Sequence, residues 1–273
     1  MNLAQCVAHA QTLGLPRLEA QTLLLHQMGR PLHDRAWLLA HDTEAASVAQ
    51  LASYESLLQR RLNHEPVAYI VGRKEFFGLN LQIDDRVLDP RADTELLVSW
   101  ALACCPDPAS APRLLDLGTG SGAIALALQQ QRPKAEVWAV DASDSALGLA
   151  QHNALALGLP VHFVQSHWLQ NVSGQFHVLV SNPPYIAQHD PHLATLQHEP
   201  QQALVSGPDG LKDLREIIAQ APGHLHDGGW LLLEHGWDQA AAVRTLLHEV
   251  GLTCVQSKMD LAGIERCSGG QKK

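Results

Sequence analysis

Asn182-Pro183-Pro184-Tyr185 places a carboxamide, proline carbonyls and an aromatic ring directly after the apolar run Phe176 to Ser181. The run reads as a buried strand, so the tetrapeptide stands where a strand ends and a site can open. Each proline lacks a backbone N–H and has φ fixed near −65°. Asn182 precedes a proline and is pushed toward extended backbone. The product is a stiff corner suited to gripping a planar –NH2 group, whose two hydrogens need acceptors and whose face needs something flat. The same residues also fit a plain proline turn with a buried tyrosine.

A second stretch bears on that choice. Residues Pro112 to Leu117 form a short apolar strand signal ending in Gly118-Thr119-Gly120-Ser121-Gly122. Ala123 to Gln131 then reads as a helix, with Pro133 marking its end. Glycines permit a tight turn and close approach of a ligand to the backbone, and a helix amino-terminus adds oriented N–H groups. After the strand signal Glu136 to Val140 comes Asp141, about twenty residues past the glycines, a spacing at which a carboxylate can accept from ribose hydroxyls. A strand-end helix cap is the plainer role for Asp141. A phosphate-binding P-loop would need Gly-Lys-Ser/Thr, and Ala123-Ile124 follow Gly122 instead. The dinucleotide spacing G-x-G-x-x-G is also absent. The spacing found, G-x-G-x-G after Asp116, resembles the S-adenosyl-L-methionine (AdoMet) loop of class I methyltransferases.

The elements that must position these residues alternate. The pattern predicts strands at 113–116, 136–140, 161–165, 176–181, 229–234, 253–258 and 263–267. It predicts helices at 122–131, 143–157, 210–221 and 238–250. Such alternation implies an α/β fold with a doubly wound, mainly parallel sheet. Right-handed crossovers gather the strands' carboxyl ends on one edge, where Gly118, Asp141, Trp168 and Asn182 would converge. Residues 1–65 read as a small helical domain, with a helix starting near Asp42 or Thr43 and a stripe through Val48, Leu51, Leu58 and Leu62 that Glu55 interrupts. Residues 66–88 read as a hairpin linker turning at Gly78-Leu79-Asn80, and residues 89–273 as the α/β domain.

Composition narrows the function. The chain has 273 residues, 46% of them hydrophobic, enough for a real core. No apolar run is long enough to span a bilayer, and the amino-terminus lacks the basic region of a secretory signal. These features predict a cytoplasmic protein with no membrane partner. A net charge of −9 argues against direct nucleic-acid binding. Five cysteines form no C-x-x-C pair, and sixteen histidines form no HExxH motif, so no metal site is expected. Cys104-Cys105 read as small apolar residues at a helix end.

Together these motifs resemble the release factor glutamine methyltransferase family over nearly the whole chain. The resemblance rests on Glu65 to Gly72, Pro90-Arg91-Ala92-Asp93-Thr94-Glu95, the glycine turn, Ser181 to Ile186 and Leu231 to Gly236. It implies a helical amino-terminal domain that docks substrate, joined by a hairpin to a class I methyltransferase domain. It further implies methyl transfer from AdoMet to the glutamine amide of the Gly-Gly-Gln motif in class 1 peptide chain release factors, by a monomer. Gly118, Thr119, Gly120, Ser121, Gly122, Asp141 and Trp168 would hold the cofactor, with Asn182 bordering it. Asn182, Pro183, Pro184 and Tyr185 would hold the glutamine, and Asn182, Pro183 and Tyr185 would act in catalysis. For Trp168, plain core packing is the alternative. Arg91, Thr94 and Glu95 would shape the roof of the site or cap the next helix.

Three positions depart from the family pattern: Asp89 where an apolar residue is usual, Ala92 where proline is frequent, and His167 where aspartate usually precedes the tryptophan. The carboxyl tail contains Gly269-Gly270-Gln271, which repeats the substrate tripeptide and is read here as coincidence. The nearest rival is a methyltransferase acting on an exocyclic amino group of a nucleobase, which would need a flipped base and a phosphate-binding surface.

Overall fold

The computed structural model describes all of residues 1–273. Ten α-helices and nine strands form two compact units.

The first unit comprises Met1–Arg73 with Thr195–His198. Its helices are α1 (Leu3–Thr12), α2 (Arg17–Gln27), α3 (Arg35–Ala40), α4 (Val48–Leu62) and α5 (Val67–Val71). Leu3, Cys6, Val7, Leu23, Leu24 and Leu58 lie in its apolar core. The buried Tyr54 hydroxyl donates to the Ala20 carbonyl at 2.9 Å, so no polar group is stranded there. Helix α4 begins after Ser47, not at Asp42 or Thr43. Ser47 and Gln50 form a reciprocal capping box that satisfies two orphan N–H groups. Glu55 sits at a half-exposed position of the stripe, where water reaches its carboxylate, and lies 3.2 Å from His9 Nε2.

The second unit comprises Lys74–Ala194 and Glu199–Lys273. Strands β1 (Arg73–Phe76) and β2 (Leu79–Gln82) pair as a two-stranded sheet. The turn between them is Phe77-Gly78, one position earlier than expected. Both residues have positive φ, 50° and 79°, as a two-residue hairpin requires. Phe77 is held in that disfavoured region by its N–H, which donates to Glu95 Oε1 at 3.0 Å. Glu95 thus anchors the hairpin.

The remaining elements are α6 (Thr94–Cys104), β3 (Arg113–Leu117), α7 (Ala123–Gln131), β4 (Glu136–Asp141), α8 (Asp144–Leu157), β5 (His162–Gln165), β6 (Phe176–Ser181), α9 (Lys212–His224), β7 (Leu225–Glu234), α10 (Ala240–Glu249), β8 (Thr253–Met259) and β9 (Glu265–Gln271). The sheet order is β5-β4-β3-β6-β7-β9-β8. The first five strands run parallel, and β9 is antiparallel to both β7 and β8. On one face Leu115, Leu117, Leu179, Leu231 and Leu233 pack with α9 and α10 residues such as Leu214, Ile217 and Val243. The alternate residues Leu114, Val178, Val180 and Leu232 are also buried. Both faces are therefore covered, which is why these strands are continuously apolar.

The last strand departs most from expectation. It extends through Gly269-Gly270-Gln271, where the sequence predicts an end at 267. Gly269 pairs with Leu232 and Gly270 with Leu231. A Cβ at Gly269 would lie 2.6 Å from Leu232 Cδ2 and 2.7 Å from the Leu231 carbonyl oxygen. The two glycines are thus demanded by packing between β7 and β8, and the Gln271 amide donates to the Gly228 carbonyl at 2.8 Å. The tripeptide serves the sheet. Gly269→Ala is expected to destabilise the fold by about 1–3 kcal/mol through overpacking. Urea unfolding checks this, and an unchanged midpoint would show that the strand yields there.

Candidate active site

Register puts the two chemical stretches at one level. In the parallel β3–β6 pair Leu117 lies opposite Ser181. The next residues are Gly118 on one strand and Asn182 on the other. The buried Ser181 hydroxyl donates to the Leu117 carbonyl at 2.7 Å and locks the two strand ends together.

A cavity of about 450 Å³ opens at this edge, within the roughly 300–1,000 Å³ usual for small-molecule sites. Gly118, Thr119, Gly120 and Ser121 form one wall. Asp141, Trp168, Asn182 and Pro184 also line it. Of the expected site residues, Gly122, Pro183 and Tyr185 do not line it. Gly122 is the residue before α7, with φ 85° and Leu126 and Ala150 close beneath it. Pro183 is buried. The Tyr185 ring packs against the sheet core, and its hydroxyl donates to Glu234 Oε1 at 3.4 Å. Its ring is therefore only partly open, less than a free stacking platform would be.

The glycine turn is built around two carboxylates. The Gly120 N–H donates to Asp141 Oδ2 at 2.9 Å, and the Ser143 N–H donates to Oδ1 at 2.9 Å. Each Asp141 oxygen keeps a second lone pair. Burial holds the Asp141 pKa above the usual carboxylate value, against these N–H donors. Helix α8 has its own cap, because Ser143 accepts from the Ala146 N–H. Asp116 is fully enclosed. Its Oδ2 accepts from the Thr119 hydroxyl at 2.6 Å and the Ala125 N–H at 3.2 Å, while Oδ1 has no partner. Burial pushes the Asp116 carboxyl up to about 7.

Trp168 is buried in the core cluster and also lines the cavity. Its backbone is left-handed, φ 49°, and its indole Nε1–H donates to Asp213 Oδ1 at 3.3 Å. A Cβ on Gly118 would lie 3.1 Å from the Trp168 ring, so glycine lets the indole close over the turn. His167 also lines the cavity, with Nδ1 3.1 Å from Glu216 Oε1.

Polar residues at this edge hold one another, and Glu199 among them carried no signal in the sequence. Asp89 is buried but meets Lys74 Nζ at 3.0 Å and Arg91 Nη1 at 3.5 Å. Arg91 in turn donates to buried Glu199 at 2.5 Å. The charged residue at position 89 is thus tolerated because cations surround it. The Asn182 Nδ2 donates to the Thr94 hydroxyl oxygen at 3.1 Å, which leaves Oδ1 as the free end of the amide. Glu234, at the end of β7, is buried with Oε2 unpartnered.

The parallel sheet with its antiparallel β9, the glycine turn and the strand-end Asn-Pro-Pro-Tyr define a class I methyltransferase. The "Methyltransferase small domain" profile matches residues 93–208. A 16S rRNA methyltransferase of Thermus thermophilus, solved in complex with AdoMet and guanosine, shares the fold with a TM-score of 0.55 at 18% identity, over 74% of this chain and 50% of that one. The "PrmC N-terminal domain" profile matches residues 3–72. The release factor glutamine methyltransferase of Bordetella pertussis is 50% identical over 94% of this chain and 95% of its own. That of Xylella fastidiosa is 48% identical over 96% of this chain and 95% of its own. The chain belongs to the release factor glutamine methyltransferase family.

Burial pushes the Glu234 carboxyl up to about 7, so folding favours its protonated form. Its contribution to stability is full below the ordinary carboxylate pKa and is lost as pH rises through about 7. Glu234→Gln removes that loss. The stability difference should move toward the variant as pH rises, by at most about tenfold in the folding constant per pH unit. Urea titrations across that window measure it, and a pH-independent difference contradicts the assignment.

Proposed function

We propose that this chain methylates the side-chain amide nitrogen of the glutamine in the Gly-Gly-Gln motif of class 1 release factors, using AdoMet. One observation carries the reading. The Asn182 amide commits its NH2 to Thr94 and leaves its oxygen at a cavity shared with the glycine turn and Asp141.

The residues fit the cofactor. The backbone of Gly118 to Gly122 would lie along its methionine part. The spare lone pairs of Asp141 suit the ribose hydroxyls, and Trp168 offers an indole face for the adenine. When bound, AdoMet supplies a methyl group on a positively charged sulfur that leaves as a neutral thioether.

A carboxamide nitrogen is a weak nucleophile, because its lone pair is delocalised into the carbonyl. The chain must therefore align and desolvate it, and such positioning contributes on the order of 7–11 kcal/mol. Asn182 Oδ1 and the Pro183 carbonyl oxygen are assigned the two N–H groups of the acceptor amide. These bonds strengthen as positive charge grows on the nitrogen, which is where differential stabilisation arises. Pro184 stiffens the corner. Tyr185, tethered through Glu234, gives the amide plane the open part of its ring. No general base is assigned, since the cationic product amide is acidic enough to lose its proton to water.

The first unit serves in this reading as the docking domain for the release factor. The protein acts as a cytoplasmic monomer without direct nucleic-acid contact. No helix is long and apolar enough to cross a membrane.

Incubation with labelled AdoMet and purified release factor, with tRNA, rRNA and DNA in parallel, should label only the protein. Peptide mass spectrometry should put the methyl on the Gly-Gly-Gln glutamine; label on nucleic acid alone would favour the nucleobase reading. Asn182→Ala should cut turnover by at least ~100-fold with AdoMet affinity retained. Asp141→Ala should instead weaken AdoMet binding. Near-normal turnover or unchanged affinity, respectively, would remove each residue from its role.

A further inference from the structure

A carboxamide has an acceptor end and a donor end of nearly equal shape. Only the acceptor end can take a hydrogen bond from a substrate –NH2. Asn182 therefore needs something to decide which end faces the cavity, and its strand does not do so.

We propose that Thr94, set by Glu234, is a positioning residue that turns the Asn182 amide oxygen toward the acceptor. The inference rests on the role of Asn182 proposed above. Thr94 is the first residue of α6, buried, and also lines the cavity. Its oxygen lies 3.1 Å from Asn182 Nδ2. A hydroxyl carries one proton. If that proton goes to Glu234, the oxygen is left to accept, and it selects the NH2 end of Asn182.

Glu234 is placed to take that proton. It is the residue after Leu233, and Leu233 pairs with Ser181, so it stands beside Asn182 at the strand ends. It is 2% exposed, and Oε2 lacks a partner, a costly state for a buried carboxyl. The Thr94 hydroxyl lies near enough to this carboxyl to lower the pKa that burial raises, and Oε2 is open to receive its proton. The Tyr185 hydroxyl donates to Oε1 at 3.4 Å. Asp93 and Arg266 are the other charges that bear on Glu234, one raising and one lowering its pKa. One buried carboxyl thus bonds Tyr185 directly, and Thr94, bonded to Asn182, stands next to it.

The test is a double-mutant cycle read in kcat, with AdoMet affinity and thermal stability measured on every variant. Thr94→Val keeps the shape and removes the hydroxyl. It should lower kcat about tenfold, less than the ~100-fold set for losing the amide itself, and leave AdoMet affinity unchanged. Thr94→Ser should restore most of the turnover. In the Asn182→Ala background, Thr94→Val should cost nothing further, because the amide it orients is gone. A full tenfold loss in that background would assign Thr94 a separate, structural role and overturn the proposal. So would a Thr94→Val enzyme with normal kcat. Full turnover by Asn182→Ala alone would sink the acceptor reading itself, and the relay with it.

Discussion

The parallel pairing of β3 with β6 is the constraint on which the site depends. Side chains and ends of neighbouring parallel strands are fixed relative to one another by register, and a slip of one residue would exchange the faces of every side chain. Here Leu117 opposes Ser181, so the glycine turn and the Asn-Pro-Pro-Tyr corner leave the sheet at the same level. The Ser181–Leu117 hydrogen bond is buried and ties the two exits directly. The two sides of the cavity, the glycine turn and the Asn182 corner, are therefore set by backbone geometry before any side chain is chosen.

Side chains then refine that edge by satisfying one another. Asp141 holds Gly120 and Ser143 through its two oxygens, which fixes the turn while leaving lone pairs free. Trp168 closes over Gly118, and Asp213 receives its indole N–H. Lys74 and Arg91 neutralise the buried charge at Asp89, and Arg91 also pairs with Glu199. Glu234 holds the Tyr185 hydroxyl behind the corner, and Thr94 holds the Asn182 amide. Preorganisation of this kind suits a reaction that asks mainly for alignment and desolvation.

The legible parts of the chain were those encoded locally. A strand followed by glycines and a helix, or by two prolines, specifies its own geometry within about ten residues, so α7, β3 and β6 are found close to where the pattern puts them. The strand Leu225–Glu234 begins before the 229 that the pattern predicts, because pairing with β6 continues to Leu225 across a register shift. Strand β9 continues through two glycines that are poor strand formers alone and are chosen by their neighbours in the sheet. Ser47 was hidden by the earlier candidate caps Asp42 and Thr43. Glu199 and Asp213 join the site from distant stretches through contacts that no spacing rule announces, whereas Thr94 and Glu234 fall in stretches that only the family resemblance singled out. Tyr185 was visible as a ring, but its packing against the core depends on elements far along the chain.

The central claim is geometric, and a crystal structure with S-adenosylhomocysteine and a Gly-Gly-Gln peptide tests it most directly. The account requires the glutamine amide nitrogen within hydrogen-bonding distance of both Asn182 Oδ1 and the Pro183 carbonyl oxygen, facing the sulfur across the cavity. A glutamine side chain bound away from that corner, or met by the NH2 end of Asn182, would contradict it.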